Sequence, residues 1–128
     1  MTAMLLDTHA VLWLMDDSPR LGPSTRAAIN NSSAVLCSAA SFWELTIKQQ
    51  KGTLDLPDDF IDAILAAGLQ ELSISGAHVA ALGHEVLPHR DPFDHMLVAQ
   101  ARVERLNLVT ADQILLDAGL PFVVDARE

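Results

Sequence analysis

The sequence is poor in cysteine and in basic residues, and it contains no long uninterrupted apolar run. Cys37 is the single cysteine among 128 residues, so the chain cannot form an internal disulfide and fits a reducing cytoplasm. The apolar N-terminus has no basic region before it and is interrupted by Asp7 and His9, which excludes a signal peptide and a membrane span. Cys37 follows an apolar run, and we expect a buried, unreactive thiol.

The low content of basic residues bears directly on the class of partner. The chain has 8 Lys and Arg against 17 Asp and Glu, a net charge of −9. Proteins that bind nucleic acid are usually basic, because contacts with phosphate release counterions. Cations bound at one place would invert the local field there. The composition therefore weakens non-specific binding of nucleic acid but leaves a local, metal-bridged contact open.

The chain predicts one domain, residues 1–128, in which short apolar strands alternate with helices. Such alternation indicates a parallel sheet covered on both faces. The predicted strands are 4–6, 34–37, 71–74, 106–110 and 122–124. The predicted helices are 8–15, one opening at Pro23, one capped by Ser38 or Ser41 and running to Gly52, and then about 56–68, 76–86, 92–105 and 111–118.

Four carboxylates stand where this pattern would bring them together: Asp7, Glu44, Asp94 and Asp112. In an open α/β sheet, ligands bind in the crevice outside the carboxyl ends of the strands. Carboxylates gathered there repel one another, and a hard divalent cation such as Mg²⁺ or Mn²⁺ relieves that repulsion. The pattern points to metal-dependent phosphoryl chemistry.

Each carboxylate also has an ordinary structural interpretation. Asp7 and Asp112 stand where Asp commonly caps a following helix. Glu44 is compatible with a solvated helix residue, and Lys48 and Lys51 continue its stripe at helical spacing. Such a stripe is either an ion-paired surface or a track that leads a phosphate backbone toward a metal.

Asp94 is the least ordinary of the four. Leu97, Val98 and Ala101 follow it at core spacing, so Asp94 occupies the first turn of an inward-facing helical stripe, where an unpaired carboxylate is costly. Asp91 precedes Pro92 and is a natural N-cap.

The residues around the carboxylates leave two questions open. His89 and Arg90 either contact a substrate phosphate or form local ion pairs. Trp13 and Trp43 lie on apolar helical faces, which favours packing in the core over stacking on bases.

Four blocks of sequence resemble PIN-domain ribonucleases, and most closely the VapC-type toxins of bacterial toxin–antitoxin pairs. The blocks are residues 5–10 (LLDTHA), 38–44 (SAASFWE), 89–94 (HRDPFD) with 99–101 (AQA), and 108–112 (LVTAD). They occur in the family's order over nearly the whole chain. The resemblance implies a three-layer α/β/α fold with a central parallel sheet and Mg²⁺- or Mn²⁺-dependent endoribonuclease activity. It also implies a homodimer and inhibition by a cognate antitoxin.

Carried over to this chain, the family's acidic site falls on Asp7, Glu44, Asp94 and Asp112. Asp7 and Asp94 match the most constant metal ligands, and Glu44 and Asp112 would act through water or hold a second ion. The remaining assignments are supporting residues Asp91, Thr8 and Thr110, and RNA-contacting residues Lys48, Lys51 and Arg90.

Two alternatives come from other classes of protein. A receiver-type phosphorylation switch has a similar length and an acidic crevice, but it needs a late Lys and no Lys follows Lys51. A catalytically silent module could keep the fold and bind a partner protein.

Overall fold

A computed structural model describes residues 2–84, 87 and 90–128. The strands are β1 (Met4–Leu6), β2 (Val35–Ser38), β3 (Gln70–Leu72), β4 (Asn107–Thr110) and β5 (Val123–Asp125). The helices are α1 (Thr8–Met15), α2 (Pro23–Asn31), α3 (Ala39–Gln50), α4 (Phe60–Ala66), α5 (Gly76–Ala80), α6 (Pro92–Glu104) and α7 (Gln113–Leu116). Even α6, with 13 residues, is too short to cross a bilayer, and no other helix within the described ranges is long and apolar enough to do so.

The five strands form one parallel sheet in the order β3-β2-β1-β4-β5. Side chains of β1 alternate between its two faces, so that Met4 and Leu6 pack into one core cluster while Leu5 packs into the other. Helices α1, α2, α3 and α4 contribute to the first cluster, and α6 and α7 contribute to the second. The predicted three-layer α/β/α arrangement is confirmed. Cys37 is buried, as predicted, and its burial raises the pKa of the thiol to about 12.

The strand order positions the site. β1 lies at the centre, with β2 on one side and β4 on the other. From β1 the strands follow one another outward through β2 to β3, and the chain then crosses back to place β4 and β5 on the other side of β1. The strand order therefore reverses between β1 and β4. A ligand crevice is expected at such a switch point, outside the carboxyl ends of the strands. The order also differs from the 2-1-3-4-5 order of flavodoxin-like folds such as receiver domains.

Most predicted elements are found within two residues of their expected ends, and the main differences have local causes. β3 ends at Leu72 rather than residue 74, because its partner β2 ends opposite it at Ser38, where α3 begins. α4 begins only at Phe60, after a turn in which the Phe60 amide donates to the Pro57 carbonyl.

Two further helices are shorter than predicted. α5 ends at Ala80, and the predicted end at Val86 lies outside the described residues. α7 begins only after its cap, Asp112, and runs for four residues.

The C-terminal segment, residues 126–128, is hydrogen-bonded to the start of α2. The amide of Gly22 donates to the carbonyl of Ala126 at 2.9 Å, and that of Ser24 donates to Glu128 at 2.7 Å. A Cβ on Gly22 would overlap the backbone of Arg127 and Glu128. Glycine is therefore required at position 22 for close approach of the two segments.

We expect Gly22→Ala to lower the stability of the protein by about 1–3 kcal/mol, the usual range for overpacking a closely fitted contact. Gly76→Ala is the matched control, since a Cβ there meets nothing within 4 Å and its φ is not positive. Urea denaturation followed by circular dichroism compares the two. Equal urea midpoints for the two variants would show that the C-terminal segment accommodates the Cβ at position 22 without loss of stability.

Candidate active site

Asp7 joins β1, α1 and β4 at the centre of the sheet edge. It follows the last residue of β1 and caps α1, where its Oδ1 accepts from the amide of Ala10 at 2.8 Å. Its Oδ2 accepts from the hydroxyl of Thr110, at the end of β4, at 2.5 Å. The side chain is buried, with 4% of the residue exposed.

Burial raises the pKa of Asp7 above its ordinary value, because desolvation disfavours the charged form. The hydrogen bonds from Thr110 and Ala10 and the nearby His9 act in the opposite direction, while the charge of Glu44 adds to the increase. The net direction is upward. A group that bears positive charge in the cleft would therefore stabilise the ionised form of Asp7.

Glu44 is held against α1 by the residue next to Asp7. The hydroxyl of Thr8 donates to Glu44 Oε1 at 2.6 Å, and Ser41 Oγ lies 3.1 Å from the same hydroxyl. Lys48 lies one turn further along α3, and its Nζ forms an ion pair with Glu44 Oε2 at 3.1 Å. α3 starts directly at the end of β2 under the cap of Ser38, so the strand end determines where Glu44 lies.

The other acidic residues are placed by helix N-termini. Asp91 accepts from the amide of Phe93 at 2.9 Å and caps α6, and Asp94 follows in its first turn. Asp112 accepts from the amides of Ile114 and Leu115 and caps α7. Its own amide donates to Thr110 Oγ1 at 3.0 Å, so Thr110 connects Asp112 to Asp7. The capping interpretation and the position at the sheet edge are both correct for Asp7 and Asp112.

These side chains line one cleft of about 410 Å³. The predicted residues in its wall are Asp7, Thr8, Glu44, Asp91, Asp94 and Asp112. Thr110 lies behind the wall and supports it through its hydrogen bonds to Asp7 and to the amide of Asp112. The structure thus gathers the predicted acidic residues and their two threonines at the carboxyl edge of the sheet.

The carboxylates are not clustered tightly. Within the part of the chain that the structure describes, no three His, Cys, Asp or Glu side chains are close enough together to hold one metal ion. Hydrogen bonds from Thr110 and Ala10 hold the carboxylate of Asp7, and Thr8 and Lys48 hold that of Glu44. The donors are all carboxylate oxygens, which is the chemistry that Mg²⁺ and Mn²⁺ prefer. The chemistry of these donors fits such an ion, although the spacing of the described side chains does not by itself form a site for one.

Two basic residues that the sequence did not indicate also line the cleft. Arg20 comes from the loop after α1, and Arg127 from the C-terminal segment. Arg127 forms an ion pair with Asp125 at 2.9 Å and donates to Gln113 at 3.2 Å. No motif signals either residue, because only the packing of the C-terminal segment against α2 brings Arg127 to the site.

The predicted RNA contacts fall in different places. Lys48 reaches the site through Glu44, whereas Lys51 and Arg90 are exposed and lie outside the residues that line the cleft. His89 lies outside the described residues.

The prediction of core packing was wrong for Trp43. This residue is 62% exposed, and its ring packs edge-on against Phe93 with centroids 5.2 Å apart. Trp13 is half-buried: it packs against the core cluster and also lines the cleft.

Comparison with known proteins agrees with the fold. The family model of the PIN domain matches residues 4–119. A toxin–antitoxin complex from Klebsiella pneumoniae contains a chain with 18% identity and a TM-score of 0.67, and the match covers 98% of each chain. VapBC2 from Rickettsia felis, bound to a DNA fragment from its promoter, has 15% identity and a TM-score of 0.66 over 95% of this chain and 96% of that one. No individual curated protein matches the sequence significantly.

The family model spans the elements from β1 to α7 and includes every acidic residue of the cleft. Because the two solved structures are only 18% and 15% identical to this chain, their similarity supports the fold alone. The family match, together with the strand order, removes the receiver-type alternative. The chain belongs to the PIN domain family.

Proposed function

We propose that this protein is a Mg²⁺- or Mn²⁺-dependent endoribonuclease and the toxin of a toxin–antitoxin pair. One observation carries the proposal: the buried carboxylate of Asp7, whose pKa is raised, faces a cleft lined by four further acidic residues. A protein gains nothing in stability from gathering like charges in this way. The arrangement suits a site that binds a divalent cation and a phosphodiester.

Asp7 and Asp94 would hold the cation directly, with Glu44 and Asp112 acting through water or at a second ion. When bound, the cation neutralises the carboxylates, lowers the pKa of a water molecule and stabilises charge on the attacked phosphate. Thr110 and Thr8 fix the orientation of the Asp7 and Glu44 carboxylates through their hydrogen bonds. Asp91 supports Asp94 by capping the helix that carries it.

Basic residues at the cleft offset the acidic body of the protein. Arg20 and Arg127 line the cleft, and Lys48 lies beside Glu44. We propose that these three contact the phosphates nearest the cleaved bond, and that Lys51 and Arg90 contact RNA further away.

The proposed partners are RNA, a cognate antitoxin and a second copy of the chain. Two of the solved structures with this fold are a toxin–antitoxin complex and VapBC2, which supports an antitoxin partner. The homodimer follows from the family resemblance. An inhibitor protein would also explain how a cell tolerates a ribonuclease in its cytoplasm.

Purified protein should cleave RNA only when Mg²⁺ or Mn²⁺ is present, and EDTA should stop the reaction. Ca²⁺ should bind but support little turnover, because its looser coordination positions water poorly. Gel analysis of a labelled RNA incubated with each ion measures this. Cleavage that persists in EDTA would contradict the metal dependence, and a folded, metal-binding protein that cleaves no RNA would favour the silent binding module.

Asp94→Asn should reduce cleavage by on the order of 10²-fold or more, because it removes a charge that stabilises the transition state while keeping the shape of the side chain. Asp91→Asn is the matched comparison, since Asn also caps helices well, and we expect a loss on the order of tenfold. Initial rates at saturating Mg²⁺ measure both. Induced expression should arrest growth for the wild type and not for Asp94→Asn. A greater loss from Asp91→Asn would reverse the two roles.

Stabilisation by Mg²⁺ should increase with pH. The raised pKa of Asp7 means that the metal-free fold binds a proton at this carboxyl more tightly than the unfolded chain does, so its contribution to stability is present below the unfolded-state pKa and lost as pH rises through the folded-state pKa. Mg²⁺ binds the ionised form, so protons compete with it. The shift in Tm caused by Mg²⁺ should be larger at about pH 8 than at about pH 5.

Asp7→Asn should abolish most of this Mg²⁺-induced shift in Tm and remove its dependence on pH. Equal shifts at both pH values in the wild type, or a full shift in Asp7→Asn, would exclude Asp7 as the titrating ligand.

A further inference from the structure

A second groove, of about 570 Å³, adjoins the acidic cleft. The two cavities share three lining residues, His9, Trp13 and Arg20, so they adjoin at these residues. The cleft is lined by carboxylates, whereas the groove is lined by an indole ring, apolar side chains, two basic groups and two exposed acids, Asp16 and Asp17. A ligand that enters the cleft can therefore extend into a region of different chemistry.

One face of α1 forms the wall of this groove. His9, Trp13 and Asp16 follow one another at helical spacing, beginning two residues after Asp7. The rings of His9 and Trp13 lie 6.4 Å apart at 48°. Part of Trp13 packs against the core cluster, which holds the indole in position, and the rest lines the groove. A ring held in this way is a preformed stacking surface.

The charged residues of the groove differ in their ion pairing. Arg20 lies at the junction with the cleft and forms no ion pair with any described residue, and Lys48 pairs only with Glu44. Asp17 is paired with Arg26 at 3.0 Å, so that acidic side chain is already partly neutralised. Asp16 remains an exposed acid of the groove, whereas Arg20 places positive charge where the groove meets the cleft. Trp13 and Leu12 offer an apolar, aromatic surface in the same groove.

We propose that this groove binds one unpaired nucleotide of the substrate, next to the cleaved phosphodiester, with its base stacked on Trp13 and its phosphate near Arg20 and Lys48. This inference rests on the proposed ribonuclease function and specifies how the substrate is held beside the cleaved bond. A base in a duplex is stacked between its neighbours and cannot lie against a protein ring, whereas unpaired bases stack on aromatic side chains with little regard to sequence. The charge of the body explains why a stacking contact is needed, since an acidic protein gains little affinity from phosphates alone.

The two tryptophans of the chain allow a direct test. Trp43→Phe leaves Trp13 as the single fluorophore, and Trp13→Phe leaves Trp43. Each variant is titrated with a single-stranded RNA hexamer in Ca²⁺, with the RNA confirmed intact afterwards, and binding is followed independently by anisotropy of a labelled hexamer. We expect the hexamer to quench Trp13 but not Trp43, and a preformed duplex of the same sequence to leave Trp13 unquenched.

Binding constants extend the test to the stacking contact itself. Trp13→Leu keeps apolar bulk but removes the ring, and should raise Kd for the hexamer about tenfold, the effect of losing one stacked base. Trp13→Phe keeps a ring and should stay within about threefold of the wild type. Trp43→Leu is the matched control, because that exposed ring lines neither cavity, and its Kd should be unchanged.

The possible failures are distinguishable. Hexamer binding with unchanged Trp13 fluorescence, or an unchanged Kd in Trp13→Leu, would overturn the nucleotide site while leaving the ribonuclease proposal intact. Equal quenching of Trp13 by duplex and hexamer would overturn the preference for single strands. If the wild type binds no RNA at all, the proposed function fails and this inference fails with it.

Discussion

The hydrogen bond between Asp7 and Thr110 is the contact on which the rest of the site depends. It joins the ends of β1 and β4 at the switch point of the sheet, and it does so with a buried carboxylate. The other oxygen of Asp7 caps α1, which fixes Thr8 and through it Glu44. Thr110 also accepts the amide of Asp112. One buried acid thus sets the relative positions of three strand ends and their helices, at the cost of desolvating its charge.

In this fold, the carboxylates that cap three of the helices also line the cleft. Asp7, Asp91 and Asp112 each use one carboxylate oxygen to accept backbone amides at a helix N-terminus, and all three line the cleft. The helix dipoles lower the cost of keeping the acids charged. They do not remove the mutual repulsion, and burial still raises the pKa of Asp7. The fold therefore holds the acids near one another without neutralising them, which leaves a demand for positive charge in the cleft.

The distribution of charge reconciles the acidic protein with the polyanionic substrate proposed for it. The net charge of −9 belongs to the whole surface, whereas Arg20, Arg127 and Lys48 lie at the cleft and its adjoining groove. Fields from exposed groups beyond about 10 Å are largely screened at ordinary ionic strength. Under the proposed function, local basic groups and the proposed stacking ring would therefore decide RNA binding more than the total charge does. Such a surface would favour contacts at the site over non-specific adhesion along RNA.

The sequence by itself determined the alternation of strands and helices, the parallel sheet and the positions of Asp7, Asp94 and Asp112 at strand ends or helix N-termini, because these follow from local periodicity and capping chemistry. The tertiary structure decided which strands are neighbours, and hence that Thr110 meets Asp7. It also decided that Arg127 reaches the cleft and that Trp43 stays exposed while Trp13 faces a groove. Periodicity identifies the apolar stripe of a helix, but only packing determines which part of that stripe another element covers.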